Sequence, residues 1–231
     1  MHTHEQVARV AQALGQVDEY PLNLRPLEPP PPAFTIAFSR EVGSGGAPVA
    51  AEIGRRLNWP VYDNELLTHL AKELRVDVHR LRGIDERPGS RLVECLEAFA
   101  SASTVTEVTY FRSLLRLMLG LAARGACVIV GRGATIALPP ETTLRVRLVA
   151  TREDRIKAVA QEHGQGPVEA ARFVDTRDKE RIRFIKDHFH KDLADPLLYD
   201  VFLNTSRFSV DECAAIVIES LARMQARKPA R

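Results

Sequence analysis

The chain has 231 residues and a mass of 25.7 kDa, room for one α/β domain or two small ones. Apolar residues at 45% and charged residues at 27% exclude a disordered chain, and a net charge of +2 gives no basic excess that would point to a nucleic-acid polymer. No apolar run reaches the roughly 18 residues of a membrane span, so no membrane association is expected.

The first twenty residues carry Glu5, Asp18 and Glu19 and lack the apolar core of a signal peptide. Val7, Val10, Leu14 and Val17 recur at intervals of three and four, which predicts one amphipathic helix. The run Pro29 to Pro32 follows; consecutive prolines fix φ and remove amide donors, so this stretch reads as an extended spacer. The chain thus divides into an N-terminal arm, 1–32, and a domain, 33–231.

From Phe34 the pattern is alternating. Short apolar runs predict strands at Phe34–Phe38, Pro60–Tyr62, Cys127–Val130, Leu144–Val149 and Asp200–Asn204. Helical spacing predicts Pro48–Leu57, a helix from Asn64 to about Leu74, then Ser90–Ala100 and Thr106–Ala123. A helix from about Arg152, a long charged one over about Pro167–Phe189, and Val210–Met224 complete the series. Strands alternating with helices imply right-handed crossovers, hence an α/β fold: a five-stranded parallel sheet with helices on both faces. Ligands of such sheets bind at the C-terminal strand ends, where two glycine-rich turns and Asp63 fall. Cys95, Cys127 and Cys213 are odd in number and form no CxxC pair, which reads as buried thiols in a reducing cytoplasm.

The strongest local signal is Ser39-Arg40-Glu41-Val42-Gly43-Ser44-Gly45-Gly46. Glycines let backbone amides turn inward and a helix start adds partial positive charge, which together make an anion cradle. The phosphate-loop pattern G-x-x-x-x-G-K-S/T requires a lysine after its last glycine; here Gly46 stands in that place, followed by Ala47 and Pro48. Two other readings compete. The glycines could serve close packing alone, or Gly43 and Gly45 with Asp63 could form a dinucleotide fingerprint whose third glycine position is Pro48. The second turn, Val130-Gly131-Arg132-Gly133-Ala134, holds an arginine between glycines, able to offer a bidentate fork to a phosphate or to sit in solvent. The third signal is the helix carrying Arg177, Lys179, Arg181, Arg183 and Lys186 with Asp175, Asp178 and Glu180. Mixed charges at helical spacing commonly form a solvated face, yet phosphoryl transfer also needs cations that close over spreading negative charge. His188 and His190 flank Phe189 and belong to no metal-binding pattern, and there is no G-x-S-x-G nucleophile elbow.

Taken together, Phe38 to Gly46, Pro60 to Leu67, Val130 to Ala134, Asp178-Lys179-Glu180-Arg181, Phe184, Asp195-Pro196, Leu198-Tyr199-Asp200 and Leu203-Asn204-Thr205 resemble the cytidylate kinase-like family. The resemblance covers roughly residues 34–222 and implies a P-loop fold related to nucleoside monophosphate kinases. The implied activity is ATP- and Mg²⁺-dependent phosphorylation of a nucleoside monophosphate, CMP or dCMP favoured, in the cytoplasm. Gly43, Ser44, Gly45 and Gly46 would then cradle the ATP phosphates, with Arg40 beside them. Arg132, Asp63 and Arg183 would serve the acceptor, within an acceptor-binding helical region over about 64–123 and a lid over about 165–190. Arg177, Arg181 and Asp63 are the catalytic candidates, and no Mg²⁺ ligand is assigned. Gly133 replaces the aspartate of the Gly-Arg-Asp motif of true cytidylate kinases, and Ala47 replaces an arginine common in the kinase-like family. The missing lysine leaves two alternatives open: a nucleotide-binding or regulatory protein with a degenerate loop, and a dinucleotide-binding oxidoreductase. Some other cation must take the lysine's place in an active kinase, and the pair Arg177 and Arg181, one helical turn apart, is favoured over Arg40.

Overall fold

The computed structural model describes residues 33–63, Leu67 and 105–227. The expected arm, the helices at 64–74 (Leu67 apart) and 90–100, and Cys95 lie outside them. Five parallel strands form one sheet in the order β2-β3-β1-β4-β5. Their spans are β1 Thr35–Arg40, β2 Val61–Tyr62, β3 Cys127–Val130, β4 Thr143–Val149 and β5 Val201–Asn204. β1 is central, with Phe38 opposite Val130 on one side and Val146 on the other. The dinucleotide-binding sheet runs 3-2-1-4-5-6. Here β3 instead stands between β1 and β2, so the oxidoreductase alternative has no support in the topology.

Six α-helices are described: α1 Gly46–Leu57, α2 Val105–Arg124, α3 Ala134–Ala137, α4 Arg152–His163, α5 Pro167–Phe189 and α6 Val210–Gln225. Strand side chains alternate between faces, so each face has its own core. Ile36, Phe38, Val146 and Leu148 pack with Val49 and Ile53 of α1 and Val217 and Leu221 of α6. Ala37 and Ile129 pack on the opposite face with Leu114, Met118 and Leu121 of α2 and with Ile185 and Phe189 of α5. A small third cluster, Val42 with Val159, Ala170 and Val174, seats α4 and α5 on the turn after β1.

Helix starts follow local chemistry. Ser209 and Glu212 form a reciprocal capping box at α6, and Thr151 caps α4 by accepting from the Asp154 N–H. α1 begins at Gly46, two residues before the expected Pro48; the first-turn amides of a helix have no intrahelical partner, so proline is tolerated at its third residue. No helix among the described residues is long and apolar enough to cross a membrane.

Cys127 and Cys213 are buried free thiols. Burial pushes the Cys127 thiol up to about 11 and raises Cys213 as well. The reactive thiolate is therefore suppressed at pH 8 in the folded state and recovers on unfolding. Thiol alkylation mapped by mass spectrometry should leave both unlabelled in the native chain and modify both within minutes in denaturant; fast native labelling of Cys127 would contradict this packing.

Candidate functional site

The turn between β1 and α1 is built around left-handed glycines. Gly43 has φ +77°, and a side chain there would lie 2.5 Å from the Arg155 carbonyl oxygen, so α4 presses directly on the loop. Gly45, the N-cap of α1, has φ +68°, and an added side chain would meet nothing within 4 Å. That open space adjoins the unpaired amides of the first helical turn, the geometry of an anion cradle. Ser44 does not face it: its buried hydroxyl donates to the Glu41 carbonyl at 2.9 Å, and its own carbonyl accepts from the Thr205 hydroxyl at 3.0 Å.

One residue of this loop is gripped through both of its backbone polar groups. The Val42 N–H donates to Asp178 Oδ1 at 2.9 Å, and the Val42 carbonyl accepts from the Arg155 guanidinium at 3.4 Å. Arg155 also pairs with Asp178 and approaches Glu41 Oε2 at 3.5 Å. Glu41 in turn accepts from the Ala150 N–H at 3.2 Å, so β4, α4 and α5 all converge on the loop.

The turn after β3 places three consecutive residues at positive φ: Gly131 at +87°, Arg132 at +52° and Gly133 at +78°. A non-glycine residue in this region costs about 1–2 kcal/mol, strain of the kind that collects where a side chain must be presented in one direction. Arg132 stands 5.4 Å over the Phe184 ring, a cation–π contact that fixes its plane. Gly133 has no room for the aspartate of the Gly-Arg-Asp motif, because a side chain there would collide with the Phe189 ring.

Arginines gather over these turns. Arg181 donates to the Arg40 carbonyl at 3.1 Å. Arg147 of β4 donates to the Ser39 hydroxyl at 2.7 Å and lies 5.8 Å from the Tyr199 ring centroid. Burial, then repulsion from Arg181 and Arg132, pushes the Arg40 guanidinium down to about 10, against the opposing attraction of Asp63. Arg181 is lowered by burial and by Arg147, Arg177 and Arg155, with Asp178 opposing. Arg40 and Arg181 thus repel each other within the folded site, in addition to the cost of their burial.

The expected site residues therefore separate into two groups. Gly43, Ser44, Gly45, Gly46, Arg40, Arg132, Arg181 and Asp63 occupy the C-terminal ends of β1, β2 and β3 or act directly on groups there. Arg177 is half exposed, pairs with Glu180 at 2.8 Å and lies over Phe173. Arg183 is 84% exposed and pairs with Asp187 within its own helix. From the sequence alone Arg147 and Arg155 go unnamed, and Asp178 stands in the charged helix and the family resemblance without a role. Arg145 and Arg147 alternate with Leu144, Val146 and Leu148 in a strand read as buried, and that period-two polarity was the available signal.

A parallel sheet with this strand order, a glycine turn between its first strand and helix, and arginines gathered at its strand ends define a P-loop fold of the nucleoside monophosphate kinase type. The chain belongs to the cytidylate kinase-like family, whose sequence profile matches residues 35–207. It is 26% identical over 184 residues to the cytidylate kinase of Pyrobaculum aerophilum, covering 80% of this chain and 90% of that enzyme. Over 92 residues it is 35% identical to the cytidylate kinase of Methanopyrus kandleri, covering 40% of this chain and about half, 48%, of that enzyme. A crystal structure of an uncharacterized protein from Eubacterium ventriosum has a TM-score of 0.67 at 23% identity, over 82% of this chain and 98% of that one, a likeness of fold. The family membership supports a kinase-type function.

Gly133→Asp restores the motif aspartate on paper but adds a side chain at φ +78° against Phe189. It should cost at least about 2 kcal/mol in urea unfolding, from left-handed strain plus overpacking. A variant as stable as the parent would show that Phe189 yields readily.

Proposed function

We propose that the chain is a nucleotide kinase that transfers the γ-phosphoryl group of ATP to a nucleoside monophosphate, with CMP or dCMP as the favoured acceptor. One observation carries this reading: Arg40, Arg132 and Arg181 interact electrostatically or by hydrogen bond beside the open glycine cradle, with Asp63 as the opposing carboxylate. In the reaction an oxygen of the acceptor phosphate bonds to the γ-phosphorus while the bond to the β,γ-bridging oxygen breaks and ADP leaves. Positioning and charge stabilisation supply most of the rate enhancement in such transfers.

On this reading the amides at Gly45 and Gly46 bind the ATP phosphates, Arg132 holds the acceptor phosphate, and Arg181 meets charge developing on the transferring group. Asp63, exposed at the end of β2, is the carboxylate placed to serve the acceptor. Among the described residues no group of three or more His, Cys, Asp or Glu side chains could hold a metal ion. In phosphoryl transfer of this kind Mg²⁺ is carried largely on the nucleotide phosphates and water, with few protein ligands. Mg²⁺ would neutralise phosphate charge. A regulatory nucleotide-binding protein is the second reading, favoured by glycine standing at the lysine position.

ADP release should be acceptor-dependent with ATP, Mg²⁺ and CMP or dCMP. Arg181→Ala should lower kcat at least about tenfold, roughly 1.4 kcal/mol of transition-state stabilisation, with a smaller effect on KM for ATP. Arg177→Ala, which removes a half-exposed and locally paired side chain, should lose much less. ATP binding without turnover of any nucleoside monophosphate would favour the second reading.

A further inference from the structure

Counted back from Gly45 as the last glycine, the pattern G-x-x-x-x-G-K-S/T puts its first glycine on residue 40 and its lysine on residue 46. This chain has arginine at 40 and glycine at 46, so the cation and the glycine have changed places. The structure shows what the exchange does in space. A side chain at Gly46 would begin 2.8 Å from Cγ of Arg40 and 3.1 Å from its Cβ and Cδ. The Arg40 stem therefore fills the volume in which a lysine at 46 would start. Farther out, a side chain at Gly131 would collide with the Arg40 guanidinium, so a second glycine leaves room for the head group. The stem thus crosses the glycine loop, and its charged end reaches the turn that presents Arg132. The Arg181 hydrogen bond to the Arg40 carbonyl holds the backbone from which the stem departs.

We propose that Arg40 is the phosphate-binding cation of this loop, standing in for the absent lysine from the opposite end of the turn, with Gly46 and Gly131 kept small to let it cross. The proposal rests on the reading of the glycine turn as an ATP phosphate site, and it replaces the pair Arg177 and Arg181 as the source of the missing charge. Arginine suits the longer path because it delivers a planar fork that can contact two phosphate oxygens, where an ammonium acts as a point charge. The depressed basicity of the buried guanidinium is consistent with a group awaiting an anion.

The test is an exchange of residues. Affinity for inorganic tripolyphosphate and for ATP with Mg²⁺ is measured by calorimetry on the full chain, with melting temperature and acceptor-dependent ADP release beside it. Arg40→Met keeps the stem and removes the charge; it should weaken both ligands at least about tenfold. Gly46→Lys alone should bind poorly, because its side chain competes with the Arg40 stem. The double variant Arg40→Gly with Gly46→Lys restores the usual order and should bind tripolyphosphate at least about fivefold better than Arg40→Gly alone. Arg40→Met with parental affinity overturns the proposal, as does a folded double variant no better than Arg40→Gly. If the double variant does not fold, Arg40→Met decides alone. A wild-type chain that binds neither ligand refutes the phosphate-site reading and the proposal together. One that binds both, loses them in Arg40→Met and turns over no acceptor refutes kinase activity while upholding Arg40.

Discussion

The backbone of Val42 is the joint on which the site depends. Its N–H goes to Asp178 of α5 and its carbonyl to Arg155 of α4, while Arg155 and Asp178 also pair with each other. Arg155 is buried, so losing either partner would strand a charge away from water, which is far costlier than losing an exposed pair. The small apolar cluster of Val42, Val159, Ala170 and Val174 adds contact area at the same point. The glycine turn is consequently held from outside by α4 and α5, and its inner side stays open at Gly45.

This clamp brings like charges together. With α5 anchored by Asp178, the next helical turn carries Arg181 to the Arg40 carbonyl, within reach of the field of Arg147 and Arg155. The same geometry leaves Arg177 and Arg183 directed outward, where Glu180 and Asp187 pair with them. One helix therefore divides its arginines between solvent and site. Repulsion among the inner ones is a modest cost to the fold, and under the proposed function a bound polyanion would relieve it.

Much of the scaffold was legible in the sequence. Five apolar runs became five strands, and α5 spans Pro167–Phe189 as its spacing indicated. Boundaries moved where local rules gave way: α1 starts at Gly46 because the left-handed Gly45 ends the turn before Pro48 is reached. The four-residue α3 is too short to show a helical period. The site was legible as glycines and arginines but not as partnerships. Arg177 and Arg181 are four residues apart, yet packing turns only Arg181 to the loop. Spacing on a helix defines neighbours, and only tertiary contacts decide which neighbour faces the sheet. The partner of Asp178 was hidden for the same reason: the charged helix and the family resemblance both include this residue, but only the fold shows its long-range bond to Val42.

The departures from motif are better understood as exchanged volumes than as losses. Glycine at 133 lacks the motif carboxylate, and the space beside it is filled by Phe189, which joins Phe111 and Phe184 in one aromatic group. Arg132 rests on that group through Phe184, so the ring cluster now fixes the arginine's orientation, a task an adjacent carboxylate could also perform. Glycine at 46 lacks the lysine, and the space beside it is filled by the stem of Arg40. In each case a side chain missing from the motif position is matched by a larger one arriving from elsewhere in the fold. Close packing enforces the match: an interior near crystal density does not leave a lysine- or aspartate-sized void unfilled, and a void so filled cannot accept the motif residue again by a single substitution. Such a site accommodates a motif residue only through paired replacement, because the Arg40 stem and a side chain at position 46 would claim the same volume.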